Sequence, residues 1–237
     1  MPELRSERVD FYSGRRTASS KALLVLAGRA PDSRWLSDFA AQNELMVCAV
    51  DRGVAVCRKA DLAPAFIAGD RDSASPEDWD WALGRGAEEF LFPADKNLTD
   101  FQLALEIVTE KNRGAFVPLV LTGCFGGRFD HLFSIVNTFS GESALCMIDE
   151  TEGLFFVRPE GDTRAVFKKR PAAVSLLPLS GECSGVHIGG VRWPLDGVKL
   201  TRAYPWAVSN ETPHDRDEVS VGCERGTLGF YWSFNAS

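Results

Sequence analysis

The sequence predicts an α/β N-terminal domain with a mostly parallel sheet, followed by a C-terminal all-β sandwich domain. The first observation behind this is that, before residue 150, short apolar runs alternate with stretches of helical periodicity. The second is that several of those runs end on an acid or a glycine, as strands do at the ligand-binding edge of a parallel sheet. The third is a change of texture. From Gly153 onward helical periodicity disappears, and short alternating or β-branched runs are separated by Gly, Pro and Asp turns.

Residues 1–20 are polar and rich in Arg and Ser, and read as a flexible N-terminal arm. Ala22 to Ala27 follows as a buried strand, and Ser33 to Asn43 places Trp35, Leu36, Phe39 and Ala40 at helical spacing. Leu45 to Val50 is a second strand ending at Asp51, and after a helical turn the run Ala65 to Ala68 is a third, ending at Gly69. Pro76 to Leu83 reads as helix and Glu89 to Phe92 as strand. Thr99 with Gln102 three residues later is a capping box, and Phe101, Ala104, Leu105 and Val108 continue that helix as one apolar stripe. Strand Val117 to Leu121, a glycine-rich turn, a helix through Asn137 and strand Ala144 to Ile148 complete the domain 21–150. Such alternation implies right-handed crossovers and a sheet covered on both faces. In the domain 151–237 the expected strands are Leu154 to Val157, Ala173 to Leu177, Val186 to Ile188, Val191 to Leu195, Val198 to Thr201, Val219 to Cys223 and Leu228 to Trp232.

Acids concentrate between Gly69 and Asp100, where a core would be apolar. Asp70 and Asp72 stand at the end of the Ala65 strand, and along extended backbone two residues that far apart project the same way while Arg71 points oppositely. Such an oxygen pair suits Mg²⁺. Asp100 falls in the first turn of the Thr99 helix, where the dipole favours an anion or a phosphate-bound metal, and Lys96 just before it offers a point charge for phosphate. Glycines 123, 126 and 127 let backbone approach a ligand, and Arg128 can grip phosphate bidentately, but the Walker lysine and the GxGxxG spacing are both absent. In the second domain Trp206, Ser209 and Asn210 combine a flat aromatic with hydrogen-bonding groups, a combination that suits a heterocycle.

Composition narrows the classes. With 45% of its 237 residues hydrophobic and 25% charged, the chain can bury a large core. A net charge of −7 argues against a nucleic-acid surface. No apolar run approaches the roughly 18 residues a membrane helix needs. Six cysteines without a CxxC pair read as thiols in a reducing compartment, which is the basis for expecting a cytoplasmic protein.

Four blocks in order resemble the thiamine pyrophosphokinase (thiamine diphosphokinase) family: Gly69-Asp70-x-Asp72-Ser73, Asp95-Lys96-x-x-Thr99-Asp100, Gly126-Gly127-Arg128-x-Asp130-His131 with Asn137, and Ser209-Asn210-Glu211. The resemblance covers about residues 21 to 234. It implies Mg²⁺-dependent transfer of the pyrophosphoryl group of ATP to the thiamine hydroxyl, giving thiamine diphosphate and AMP, by a homodimer with sites between subunits. Carried onto matching positions, it implies Asp70, Asp72 and Asp100 as catalytic and metal-binding residues. Asp51, Lys96, Thr99, Arg128, Asp130 and His131 are implied for ATP and its phosphates, and Trp206, Ser209 and Asn210 for thiamine. Departures exist: Asp51 sits in Val-Asp-Arg-Gly-Val-Ala where the family has Ala-Asp-Gly-Gly-Ala-Asn, Arg71 replaces an aromatic or aliphatic residue, and Asn97 stands where a third acid is common. Two other readings stay open on the residues alone, a pyrophosphokinase for another hydroxymethyl heterocycle such as a pterin and a non-catalytic thiamine-binding module.

Overall fold

A computed structural model describes residues 1–13, 20–72, 74–93, 95, 97–141, 143–159 and 161–235. The chain divides into two compact units, one formed by Ala18–Asp149 and the other by Met1–Thr17 with Glu150–Ser237. Numbered along the chain, β1 (Leu4–Arg5) and β2 (Val9–Ser13) belong to the second unit. The first unit then alternates as β3 (Lys21–Val25), α1 (Ser33–Gln42), β4 (Leu45–Val50), α2 (Gly53–Lys59), β5 (Phe66–Gly69), α3 (Pro76–Gly84), β6 (Glu88–Leu91), α4 (Asp100–Lys111), β7 (Leu119–Thr122), α5 (Phe129–Phe139) and β8 (Ala144–Ile148).

Local chemistry sets the helix starts. Asp32 caps α1 by accepting from the Trp35 N–H at 2.9 Å, and α1 buries Trp35, Leu36, Phe39 and Ala40. Ser75 caps α3 with Pro76 in the first turn, and Thr99 caps α4 in the capping box expected from sequence. Strands β5, β7 and β8 are buried at every position instead of at alternate ones, so both faces of the sheet are covered. Each fully buried Leu, Ile or Phe there stabilises the fold by about 1.5–3 kcal/mol. The edge strand β6 exposes Glu88 and Glu89, charges that discourage pairing with another chain.

All five strand pairs are parallel, in the spatial order β8, β7, β3, β4, β5, β6. The chain builds outward from β3 through β4 and β5 to β6, and α4 then carries it back to β7 on the other side of β3. The order therefore reverses between β3 and β7, and a crevice opens beyond the carboxyl ends of those two strands.

The second unit continues with β9 (Glu152–Val157), β10 (Thr163–Phe167), β11 (Ala173–Pro178), β12 (Glu182–Gly189), β13 (Leu195–Thr201), β14 (Glu218–Gly222) and β15 (Leu228–Ser233). Six antiparallel strands lie in the order β1, β2, β10, β14, β12, β13, and β11, β15 and β9 form an antiparallel set of three. Phe11 of β2 stacks on Phe155 of β9 at 4.7 Å and lies 4.8 Å from Trp232 of β15, joining the two sets through aromatic surface.

Two expectations need correction. Residues 1–13 are not a loose arm: β2 pairs with β10 along Phe11↔Ala165, and Leu4, Val9 and Phe11 are buried. Two short strands carry too few apolar positions for a visible period, and their partner lies far along the chain. The run Val191 to Leu195 is not a separate strand either. Gly190, at φ 77°, turns the chain, and β13 begins only at Leu195.

Candidate functional site

A cavity of about 720 Å³ occupies the crevice at the order reversal. Its lining comes from strand ends and helix starts: Leu26 to Gly28 after β3, Asp51 after β4, Asp70 after β5, Thr99 and Asp100 at α4, and Gly123 and Cys124 after β7. Arg128, Asp130 and His131 line it from the start of α5. Residues scattered over a hundred positions thus converge because a parallel sheet places every carboxyl end on one edge.

Asp51 is held by backbone. Its N–H donates to Ala68 O at 2.9 Å, its carbonyl accepts from the Val54 N–H at 3.1 Å, and it takes φ 50°, a left-handed conformation that Asp tolerates better than most residues. Its carboxylate lies close against Gly69, where a Cβ would come within 2.2 Å of Asp51 Oδ1 and force the carboxylate to move. A second close approach shapes the crevice. The Gly28 N–H donates to Gly123 O at 2.6 Å, and a Cβ on Gly28 would meet that oxygen at 2.6 Å.

Asp70 and Asp72 do not project together from an extended segment. Arg71 adopts φ 63°, the segment turns, and the Asp72 N–H donates to Asp70 Oδ1 at 3.1 Å. Asp70 lines the cavity, whereas Asp72 is exposed and is not among the lining residues. Asp100 lies in the first turn of α4 as expected. Lys96 and Ser73 fall outside the described residues.

Arg128 and Asp130 form a bidentate pair, Nε to Oδ1 at 3.1 Å and Nη2 to Oδ2 at 2.5 Å. The Arg128 hydrogen bond holds the Asp130 carboxyl below the usual carboxylate range, and the same bond raises Arg128 further. Asp130 is therefore an orienter of Arg128 at the cavity mouth, with its Oδ1 also accepting from the His131 N–H at 3.0 Å.

In the second unit Trp206 is 46% exposed, and Ser209 takes φ 57° with its N–H donating to Ser175 Oγ at 3.0 Å. Asn210 commits its carboxamide to backbone groups. Nδ2 donates to Trp193 O at 2.7 Å, and Oδ1 accepts from the N–H groups of Trp193 at 3.1 Å and Glu211 at 2.9 Å. It thereby pins the turn that carries Trp193, itself 51% exposed with the Arg192 guanidinium 4.7 Å from its ring centroid. Asn210 thus holds an aromatic in place, a role its position in the sequence did not reveal.

Sequence reading also missed Leu26 to Gly28, although a strand end in the same parallel sheet was a usable signal. It missed the ion pair in which Arg29 Nη2 lies 2.5 Å from Oδ2 of Asp149, a buried carboxylate just past β8.

The candidate Mg²⁺ site is compatible with these residues. Among the described residues no group of three or more His, Cys, Asp or Glu could hold a metal by itself. Mg²⁺ characteristically takes one or two carboxylates and completes its shell with water and substrate phosphates, and Asp70 and Asp100 on the wall of a roomy cavity meet that requirement.

Fold and site define an α/β unit with an acid-lined crevice at the switch point of its sheet, joined in one chain to an antiparallel β unit. Two family models match it: "Thiamin pyrophosphokinase, catalytic domain" over residues 38–145 and "Thiamin pyrophosphokinase, vitamin B1 binding domain" over residues 166–228. The thiamine pyrophosphokinase of Bacillus subtilis is 27% identical over 176 residues, covering 72% of this chain and 80% of that protein. The crystal structure of the Bacillus subtilis thiamine pyrophosphokinase is similar at a TM-score of 0.73 with 20% identity, covering 91% of this chain and 100% of that one. That of thiamin pyrophosphokinase from Geobacillus thermodenitrificans is similar at 0.72 with 24% identity, covering 91% and 98%. The chain belongs to the thiamin pyrophosphokinase family.

Proposed function

We propose that the thiamine pyrophosphokinase activity of this family is carried here by the crevice of the α/β unit, which receives ATP, while the exposed aromatics of the β unit receive thiamine. The observation that carries the proposal is the convergence of Asp51, Asp70 and Asp100 with the Gly123 loop and Arg128 on one cavity. Attack by the thiamine hydroxyl on the β-phosphorus of ATP, in line with departing AMP, spreads negative charge over phosphoryl oxygens. Mg²⁺ held by Asp70 and Asp100 together with the triphosphate would neutralise that charge. Arg128, oriented by Asp130, and Lys96 supply cations to the phosphates, and the α4 N-terminus at Thr99 adds its dipole. A loose transition state asks little of a base, and of the two acids Asp70 and Asp72 only Asp70 lines the cavity to accept the hydroxyl proton. Trp206 and Trp193 offer flat faces to the pyrimidine and thiazolium rings.

The test is to incubate the purified protein with ATP, Mg²⁺ and thiamine and analyse the products. AMP and thiamine diphosphate are expected, and omission of Mg²⁺ should abolish both. ADP as the product, or turnover of a hydroxymethyl pterin in preference to thiamine, would overturn the assignment. A homodimer with sites between subunits belongs to the same proposal. Mixing Asp70→Asn and Trp206→Ala homodimers, with exchange verified by mass spectrometry of tagged chains, should restore roughly a quarter of wild-type activity by two-fold symmetry. A verified heterodimer without rescue would sink the shared-site model. Six buried thiols suit the reducing cytoplasm, the compartment proposed for this protein.

A further inference from the structure

Arg71 stands between Asp70, which lines the cavity, and the exposed Asp72, and is not itself among the lining residues. Its backbone adopts φ 63°, a left-handed conformation that a long side chain does not favour by itself. Its guanidinium is held from three directions. Nη2 lies 3.4 Å from Asp80 Oδ1 on α3, Nη1 lies 3.6 Å from Glu89 Oε1 on β6, and the group sits 5.5 Å from the centroid of the Trp79 ring. Trp79 is buried, and its Nε1 donates to Glu89 Oε1 at 2.6 Å, so the anchor is itself fixed. The turn held in this way carries the hydrogen bond from Asp72 N–H to Asp70 Oδ1.

We propose that Arg71 is a positioning residue that tethers the Asp70 to Asp72 turn to α3 and β6, and so fixes the Asp70 carboxylate for the metal and triphosphate. The inference rests on the reading of Asp70 given above and goes beyond it, because Arg71 is not among the residues that line the cavity. Single surface ion pairs contribute little to stability. Their use here is orientation: two carboxylates and an indole select one placement of the guanidinium, and the side chain transmits it to a backbone held at φ 63°.

The experiment measures binding of Mg²⁺ with a non-hydrolysable ATP analogue by calorimetry, alongside steady-state kinetics, for Arg71→Ala, Arg71→Gly, Glu89→Gln and, as a control, Asp70→Asn. Arg71→Ala should weaken analogue binding and raise the half-saturating Mg²⁺ concentration by about 10- to 100-fold, as removal of outer-shell partners of a metal site does. Thiamine KM should stay near wild type. Arg71→Gly should be as impaired as Arg71→Ala, since glycine removes the strain but not the need for a tether. Glu89→Gln keeps an acceptor for Trp79 Nε1 and removes one of the two charges facing Arg71. It should weaken binding by about two- to fivefold, as expected for one exposed ion pair, and it serves if the Arg71 variants fold poorly. Wild-type affinity in Arg71→Gly would show that the tether is unnecessary. Tighter binding in Glu89→Gln would mean that the freed guanidinium is a direct phosphate ligand, and either result overturns the proposal. If Arg71→Ala binds normally while Asp70→Asn does not, the tether fails and the site stands. If Asp70→Asn also binds and turns over normally, the reading of the site fails.

Discussion

The two units hold their candidate functional residues by different physical means. In the α/β unit topology does most of the work: β3, β4, β5 and β7 all point their carboxyl ends at one crevice, so an acid placed after a strand is delivered there. The antiparallel unit has no common edge of that kind, because neighbouring strands end on opposite sides. There the exposed Trp193 is fixed instead by two hydrogen bonds between the Asn210 side chain and its backbone. Shared edges tolerate local variation, while pinned loops depend on single residues.

The sharpest way to break this comparison is to alter the acids of the shared edge. Asp70→Asn should leave the fold intact and lower kcat by at least about 10²-fold, as loss of a preorganised charge contact does. Asp72→Asn should cost at least tenfold less, because Asp72 is exposed and does not line the cavity, and the substitution keeps the N–H that donates to Asp70 Oδ1. Equal losses in the two variants would return Asp72 to the cavity wall. Next in size is the pinned loop. Asn210→Ala removes three hydrogen bonds to backbone, each worth about 1 kcal/mol, and should raise the thiamine KM roughly tenfold or more with the ATP KM little changed. A change confined to ATP would place the loop outside the acceptor site.

Smaller effects test the frame beneath the α/β site. Thr99→Ala breaks the capping box of α4 and should cost about 1 kcal/mol, a fall in Tm of about 2–4 °C for a chain of this size. An unchanged Tm would mean that another group satisfies the first turn. The smallest effect near neutral pH concerns the buried thiols. Burial pushes Cys57 up to about 12 from its ordinary 9.0, and it raises Cys48 still further. Above about pH 9 the unfolded thiols ionise while the folded ones stay neutral, so the unfolded state binds fewer protons and stability falls as pH rises from about 9 towards about 12. Denaturant titrations across that window should show the decline, and Cys57→Ala should make it shallower, since the other buried thiols still contribute. A pH-independent midpoint in the parent protein would contradict the burial argument.

Much of the site was legible because its signals are local. Asp51, Asp70 and Asp100 each sit at a strand end or helix start that periodicity and capping reveal within a few residues. Asp72 was misplaced by the same local reasoning. The spacing two apart projects to one side only if the backbone is extended, and Arg71 is held left-handed by Trp79, Asp80 and Glu89.

The sequence by itself determined the elements of the α/β unit, the residues at their ends, the change to β structure after residue 150 and the family. Each of these rests on patterns shorter than one helix or on ordered short motifs. Only the tertiary structure decided that the strand order reverses at β3 and so brings Leu26 to Gly28 into the cavity wall, since strand order depends on which way each crossover runs. It decided too that β2, near the start of the chain, pairs with β10, that Asn210 is occupied by Trp193, and that Asp70 and Asp72 part company. Each of these depends on contacts between segments distant in sequence, where free energy is gained by burying surface and satisfying hydrogen bonds that no local pattern records.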